Sequence, residues 1–191
     1  DLTANLKGVP PGLYMSLVEA SHHDPNTAYL AIDGHRSDRF EPWLLVTRDG
    51  GKTWNSIVGD LPRTAPVIVV REGLSNPKLL FAGTEFGVWM TLDGGRHWVK
   101  LSEGLPTVAV DDIVIHPRER DLVIGTHGRS VYVLDDITPF EGWTERALSD
   151  PVTFFAPRAA TAYLHRTIGG VWGQRVFTAK NPPFGATFNY F

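Results

Sequence analysis

Short runs of alternating or continuous apolar residues recur along this chain, cut apart by Gly, Pro, Asn and Asp. Helix signals are scarce. The clearest stretch begins with "VIVVREG" (Val67–Gly73), an apolar strand, followed by the loop "LSNPK". "LLFAGTE" (Leu79–Glu85) and "GVWMTL" (Gly87–Leu92) come next, then a "DGG" turn and "RHWVKL" (Arg96–Leu101) before "SEGLP". The pattern predicts four short strands joined by tight connections.

The same order precedes and follows it. Upstream, "YMSLVEAS", "HHDPNT", "AYLAID", the insertion "GHRSDRFEP", "WLLVTR", "DGG", "KTWNSIV" and "GDLP" form one unit. Downstream, "DDIVIHP", "RER", "DLVIGTHG" and "RSVYVLDD" form another, with an eroded end at "ITPFEGW". "TRDGGKTW" (Thr47–Trp54) returns as "TLDGGRHW" (Thr91–Trp98), with Asp49 and Asp93 separated by 44 positions (93 − 49). Leu61-Pro62 and Leu105-Pro106 keep the same spacing, and Pro25, Pro77 and Pro117 fall between first and second strands. The third copy keeps Asp136 but lacks the turn glycines and a correctly spaced Trp. Four antiparallel strands in about 40–45 residues, repeated, predict β-propeller blades; a stacked β-solenoid is the alternative.

The repeated stretch fits "S/T-x-D-x-G-x-x-W", and on it the chain resembles the Asp-box (BNR-repeat) β-propeller proteins. Asp49 and Asp93 can accept amide hydrogen bonds across a tight turn, Gly51 and Gly95 can take a left-handed conformation, and Trp54 and Trp98 can bury large rings. The resemblance implies that Thr47, Asp49, Gly51, Trp54, Thr91, Asp93, Gly95 and Trp98 are structural. "GTHGRSVYVLDDITP", "FAPRAA" and "NPPFGATFNYF" are similar to the C-terminal part of large bacterial BNR-repeat proteins labelled glycosyl hydrolase, related in architecture to sortilin-type and xyloglucanase-type propellers. That likeness implies an extracytoplasmic (periplasmic or secreted) protein. It also implies that "NPP-x-GA" leads into a small β-sandwich. The expected fold is all-β: about three four-stranded blades over 1–149 (about 13–62, 63–106 and 107–149) in an incomplete ring. Closing strands and the start of the following module occupy 150–191. Three blades cannot close a ring, since propellers use four to eight, so the remaining blades of the same protein are expected as partners, supplied upstream.

Composition narrows the possibilities. The chain has 191 residues, 42% hydrophobic and 20% charged, enough to bury a core. A net charge of −3 without Lys or Arg runs argues against nucleic acid as a partner. The absence of cysteine excludes disulfides and thiolate chemistry. No apolar run approaches the ~18–20 residues of a membrane span. Asp1 in place of an initiator Met and the strand-like ending "ATFNYF" suggest the edges of a fragment.

Blade topology sorts the loops into two faces. Asp-box turns join third to fourth strands on one face; second-to-third and inter-blade connections emerge on the other. That second rim is expected to carry His35, Arg36, Arg63, Glu85, His127 and Arg129 as ligand-binding candidates, suited to an anionic, sugar or protein ligand. A glycosidase needs two carboxylates about 5–9.5 Å apart, and Glu85 with Asp111 or Asp112 is the only pair placed near this rim. Arg36, Arg63 and Arg129 could imitate a sialidase arginine cluster, but no Tyr nucleophile accompanies them. No zinc spacing, phosphate loop or nucleophile elbow is present, so no metal or cofactor is expected. Two functions remain open: a binding or scaffold module for a protein or glycan, and a glycoside hydrolase with catalytic groups partly or wholly in other blades.

Overall fold

The computed structural model describes residues 1–162 and 184–191. Three antiparallel sheets are built in chain order, each a meander. The first contains β1 (Tyr14–Ala20), β2 (Ala28–Asp33), β3 (Trp43–Thr47) and β4 (Asn55–Ser56). The second contains β5 (Val67–Glu72), β6 (Leu80–Thr84), β7 (Gly87–Thr91) and β8 (Val99–Leu101). The third has three strands, β9 (Val110–Ile115), β10 (Leu122–Thr126) and β11 (Val131–Leu134).

Among the described residues the third blade has no fourth strand, and the residues at the turn after β11 explain why the meander does not continue there. Thr47 and Thr91, which organise the first two turns, are replaced by Leu134, and glycines do not follow Asp136. Asp136 instead takes a left-handed φ of 58° and accepts from the amide (3.2 Å) and hydroxyl (2.6 Å) of Thr138. The chain leaves as the short helix α1 (Thr138–Glu141), and Ile137 is buried in the core beneath it.

Register makes the three units comparable position by position. Each first strand carries a bulge at the same place: Met15/Leu17, Val67/Val69 and, opposite Gly125/Thr126, Val110/Asp112. Ala31, Gly83 and Gly125 then share one position, and so do Asp33, Glu85 and His127, each immediately after the equivalent strand-end residues Ile32, Thr84 and Thr126.

The core lies between sheets. Tyr29, Ala31, Leu44, Val46 and Ile57 of the first pack against Val70, Leu80, Ala82 and Trp98 of the second. Val69, Phe81, Val88 and Met90 of the second pack against Ile113, Ile115, Leu122 and Ile124 of the third. The sheets stack in parallel. Ser16 donates to the Val67 carbonyl (3.5 Å) at one end, and Ser21 donates to the Glu72 carboxylate (2.9 Å) at the other. Arg71 on β5 ties the three first strands together, donating to Glu19 (2.9 Å), to Asp112 (2.9 Å) and to the Ile113 carbonyl (2.6 Å).

Beyond the sheets, residues 153–155 pair with 189–191 through Phe154 and Tyr190. Trp143 packs on Phe155 and Phe191. Most of the tail segments "ATAYLHRT" and "GGVWGQRVFTA" lies outside the described residues.

Candidate functional site

Two faces of the stack carry polar groups. On the first, the β3–β4 and β7–β8 turns repeat one hydrogen-bond network. Thr47 Oγ1 donates to Asp49 Oδ1 (2.8 Å) and accepts the Gly51 amide (2.8 Å). Asp49 accepts the amide (2.9 Å) and hydroxyl (2.6 Å) of Thr53. In the second turn Thr91 bonds Asp93 (2.8 Å) and Gly95 (3.1 Å), and Asp93 accepts the amides of Arg96 (2.9 Å) and His97 (3.0 Å). The Thr53 hydroxyl, then its amide, hold the Asp49 carboxyl at about 2, below the usual carboxylate range. Burial pushes Asp93 upward, but the amide and ring of His97 outweigh it, so this carboxyl too stays lowered. Both carboxylates are occupied in organising turns.

The second turn also locks two blades together. Gly95 has φ of 97°, and a Cβ there would lie 2.7 Å from Ile57 Cβ and 2.8 Å from its carbonyl. Trp98 is buried, its indole N–H donating to the Ile57 carbonyl (3.1 Å) and its amide to Asp60 (2.6 Å). Trp54, at the same position after the β3–β4 turn, is only half-buried, against Leu30, Ile32, Leu45 and the N-terminal segment. Near this face Glu72 is buried with no ion pair among the described residues, its carboxylate accepting from Ser21, the His22 amide (2.6 Å) and the Tyr29 hydroxyl (2.8 Å). Burial, then this carboxylate, push the Tyr29 phenol upward. Glu72 and Tyr29 border a cleft of about 490 Å³ that Arg48 and Lys78 also line. Nothing in the pattern of "VREG" announces that cluster, because its partners come from the neighbouring blade.

At the opposite ends of β3 and β7 lies the rim. There the β2–β3 connection places His35 against Asp33, whose carboxylate also accepts the His35 amide (3.0 Å). The Arg36 guanidinium lies 4.4 Å over the Tyr14 ring. Glu85 and Phe86 form the two-residue tip of the β6–β7 hairpin, with the Glu85 amide donating to the Pro66 carbonyl (3.3 Å). His127 pairs with Asp111 (3.0 Å), and its amide donates to the Ala109 carbonyl (2.9 Å). Arg63 and Arg129 are exposed; among the described residues neither they nor Glu85 have a side-chain hydrogen bond or ion pair. Asp112 accepts from Arg71 and from the Ile113 amide (2.8 Å), which commits it to the junction of two blades.

Asp33 and Tyr14 belong to this rim although the sequence pattern did not single them out. The signal was register: "AID" aligns with "GTE" and "GTH", placing Asp33, rather than His35, level with Glu85 and His127. Among the described residues, no cluster of three or more His, Asp or Glu is placed to hold a metal ion. No helix there is long and apolar enough to cross a membrane.

Repeated four-stranded meanders, stacked with their first strands side by side, define blades of a β-propeller, here fewer than a closed ring holds. Solved β-propeller structures share the fold. An ancestral GH74 enzyme superposes with a TM-score of 0.50 at 20% identity over 63% of this chain and 14% of that one. The GH74 enzyme of Niastella koreensis does so with a TM-score of 0.50 at 18% identity, over 64% of this chain and 21% of that one. The chain thus spans a minor part of either neighbour. No protein-family profile and no curated protein matches it.

Proposed function

We propose that these blades belong to an extracytoplasmic Asp-box (BNR-repeat) propeller that acts as a binding or scaffold module, presenting its rim to a glycan or protein ligand. The observation that carries this reading is how the rim charges are used. Asp111 and Asp112 are engaged by His127 and Arg71, whereas Arg63 and Arg129 are exposed and have no side-chain partner among the described residues, with Phe86 and the Arg36–Tyr14 pair at the same end of the sheets. Exposed cations and aromatic rings sharing one rim suit an anionic or sugar-bearing ligand. The division at 149/150, with closing strands and a following β-sandwich, belongs to the same reading. The test is a glycan panel that includes acidic oligosaccharides, with the intact polypeptide. Arg63→Ala combined with Arg129→Ala should weaken binding about tenfold or more, since a hydrogen bond to a charged group contributes about 1.5–3 kcal/mol. Undiminished binding would remove the rim from the reading.

A second reading is a glycoside hydrolase, favoured by the fold likeness to GH74 enzymes. Glu85, with no side-chain partner among the described residues, is its best-placed acid here. Release of reducing sugar that Glu85→Gln abolishes would establish it; activity unchanged in Glu85→Gln and Asp112→Asn would place any catalytic pair elsewhere.

A further inference from the structure

The cleft of about 490 Å³ lies between the first two sheets, at the end where the β3–β4 and β7–β8 turns project. Both blades build it. Arg48 and Asn55, on either side of the β3–β4 turn, line it from the first blade, and Lys78 and Arg96 line it from the second. Tyr29 and Glu72, 4% and 1% exposed, line its interior. Its volume falls in the range of small-molecule sites.

Acceptors and donors in this cleft are used unequally. The carboxylates are engaged. Glu72 accepts from Ser21, the His22 amide and the Tyr29 hydroxyl, and Asp93 accepts the amides of Arg96 and His97. Asp24 accepts the Thr27 hydroxyl (2.6 Å) and the Asn26 amide (3.1 Å), which hold it below the usual carboxylate range. The cations are not engaged to the same extent. Arg48 has no side-chain hydrogen bond or ion pair among the described residues, and its charge acts on the Tyr29 phenol. Arg96 lies 3.9 Å from Asp93 and Lys78 lies 3.6 Å from Glu145, both beyond hydrogen-bonding distance and well exposed. Exposed pairs of this kind contribute little, so either side chain can turn to a ligand.

The neutral groups add a second requirement. Tyr29 gives its proton to Glu72 and keeps lone pairs on its oxygen, and the Asn55 side-chain amide has no partner among the described residues. Both can meet hydroxyl groups. The Glu72 carboxylate repels an anion placed beside it, which directs the charged end of a ligand outward to the cations and its hydroxyl end inward.

We infer that this cleft binds a small hydroxylated oxyanion, a sugar acid or a sugar phosphate, with Arg48 and Arg96 holding the anionic group from the two blades and Tyr29 and Asn55 meeting the hydroxyls. A guanidinium fork matches carboxylate and phosphate alike. The inference does not rest on the rim reading, because the rim lies at the other end of the sheets.

The chain has no cysteine, so a single thiol placed in the cleft reports on this site alone. Ser56 lines the cleft and is exposed. In the intact polypeptide carrying Ser56→Cys, the probes are glucuronate and glucose 6-phosphate, with glucose as the neutral control. A probe present at about ten times its dissociation constant should slow maleimide reaction about tenfold, since the free fraction of sites falls to about a tenth. Protection by glucuronate alone assigns a carboxylate ligand and by glucose 6-phosphate alone a phosphate, and either supports the inference. Adding Arg48→Ala and Arg96→Ala should weaken binding at least about tenfold and so reduce protection at the same probe concentration to about twofold or less. The Arg96 amide that Asp93 accepts is retained in that variant. If its urea midpoint nevertheless falls, Arg48→Ala alone carries the test. No protection by either acid, equal protection by glucose, equal slowing at the distant Glu103→Cys, or protection that survives loss of the arginines overturns the inference.

Discussion

Glycine pairs in the β3–β4 and β7–β8 turns allow backbone strain to be separated from interlocking of blades. Gly94 and Gly95 both have left-handed φ, 77° and 97°, so alanine at either costs roughly 1–2 kcal/mol of conformational strain. They differ in surroundings. Gly94 has nothing within 4 Å of an added Cβ, whereas at Gly95 the methyl would enter the backbone and Cβ of Ile57 at 2.7–2.8 Å. Overpacking of this kind adds about 1–3 kcal/mol. Gly95→Ala should therefore lose about 2–5 kcal/mol and Gly94→Ala about 1–2. For a chain of this size each kcal/mol is about 2–4 °C in melting temperature. Gly51→Ala is an internal control, because its added methyl meets only the end of the Leu2 side chain at 2.6 Å, which can swing away. The assay is thermal and urea unfolding of the three variants beside the parent. Equal losses for Gly94→Ala and Gly95→Ala would refute the argument that the second turn is a close-packed joint between blades.

Trp98→Ala should cost about 3–5 kcal/mol and Trp54→Ala clearly less, because only Trp98 is fully buried and bonded to the preceding blade; denaturant midpoints check the order. Asp49 titrates at about 2 in the fold and near 3.9 in an unfolded chain, so its contribution is complete above about pH 4 and is lost as pH falls toward 2. Asp49→Asn should flatten the dependence of stability on pH in that window, and an unchanged acid limb would contradict the turn network. Arg71→Met should destabilise by about 1–3 kcal/mol through loss of its charge-assisted bonds to Glu19, Asp112 and the Ile113 carbonyl, read by urea titration.

The repeat, the β-propeller class and the order of strands were legible in the chain, because alternation, turn residues and a fixed period are local properties that survive without neighbours. The loss of this turn from the third unit was legible too, in Leu134 and the missing glycines. What it produces, a three-stranded sheet leaving through α1, required coordinates. Trp54 and Trp98 read identically in "GKTW" and "GRHW", yet one is half-covered by an N-terminal segment and the other is locked between sheets. Asp112 read as a rim acid but is held by Arg71, and Asp33 has no signal in the pattern, since only the folded β2–β3 connection sets it against His35. Sequence by itself determined what each blade is made of, since strand and turn chemistry depends on nearby residues. Only the tertiary structure decided which side chains are consumed and which are free, because burial and pairing here come from the adjacent blade, some 40–50 positions away along the chain.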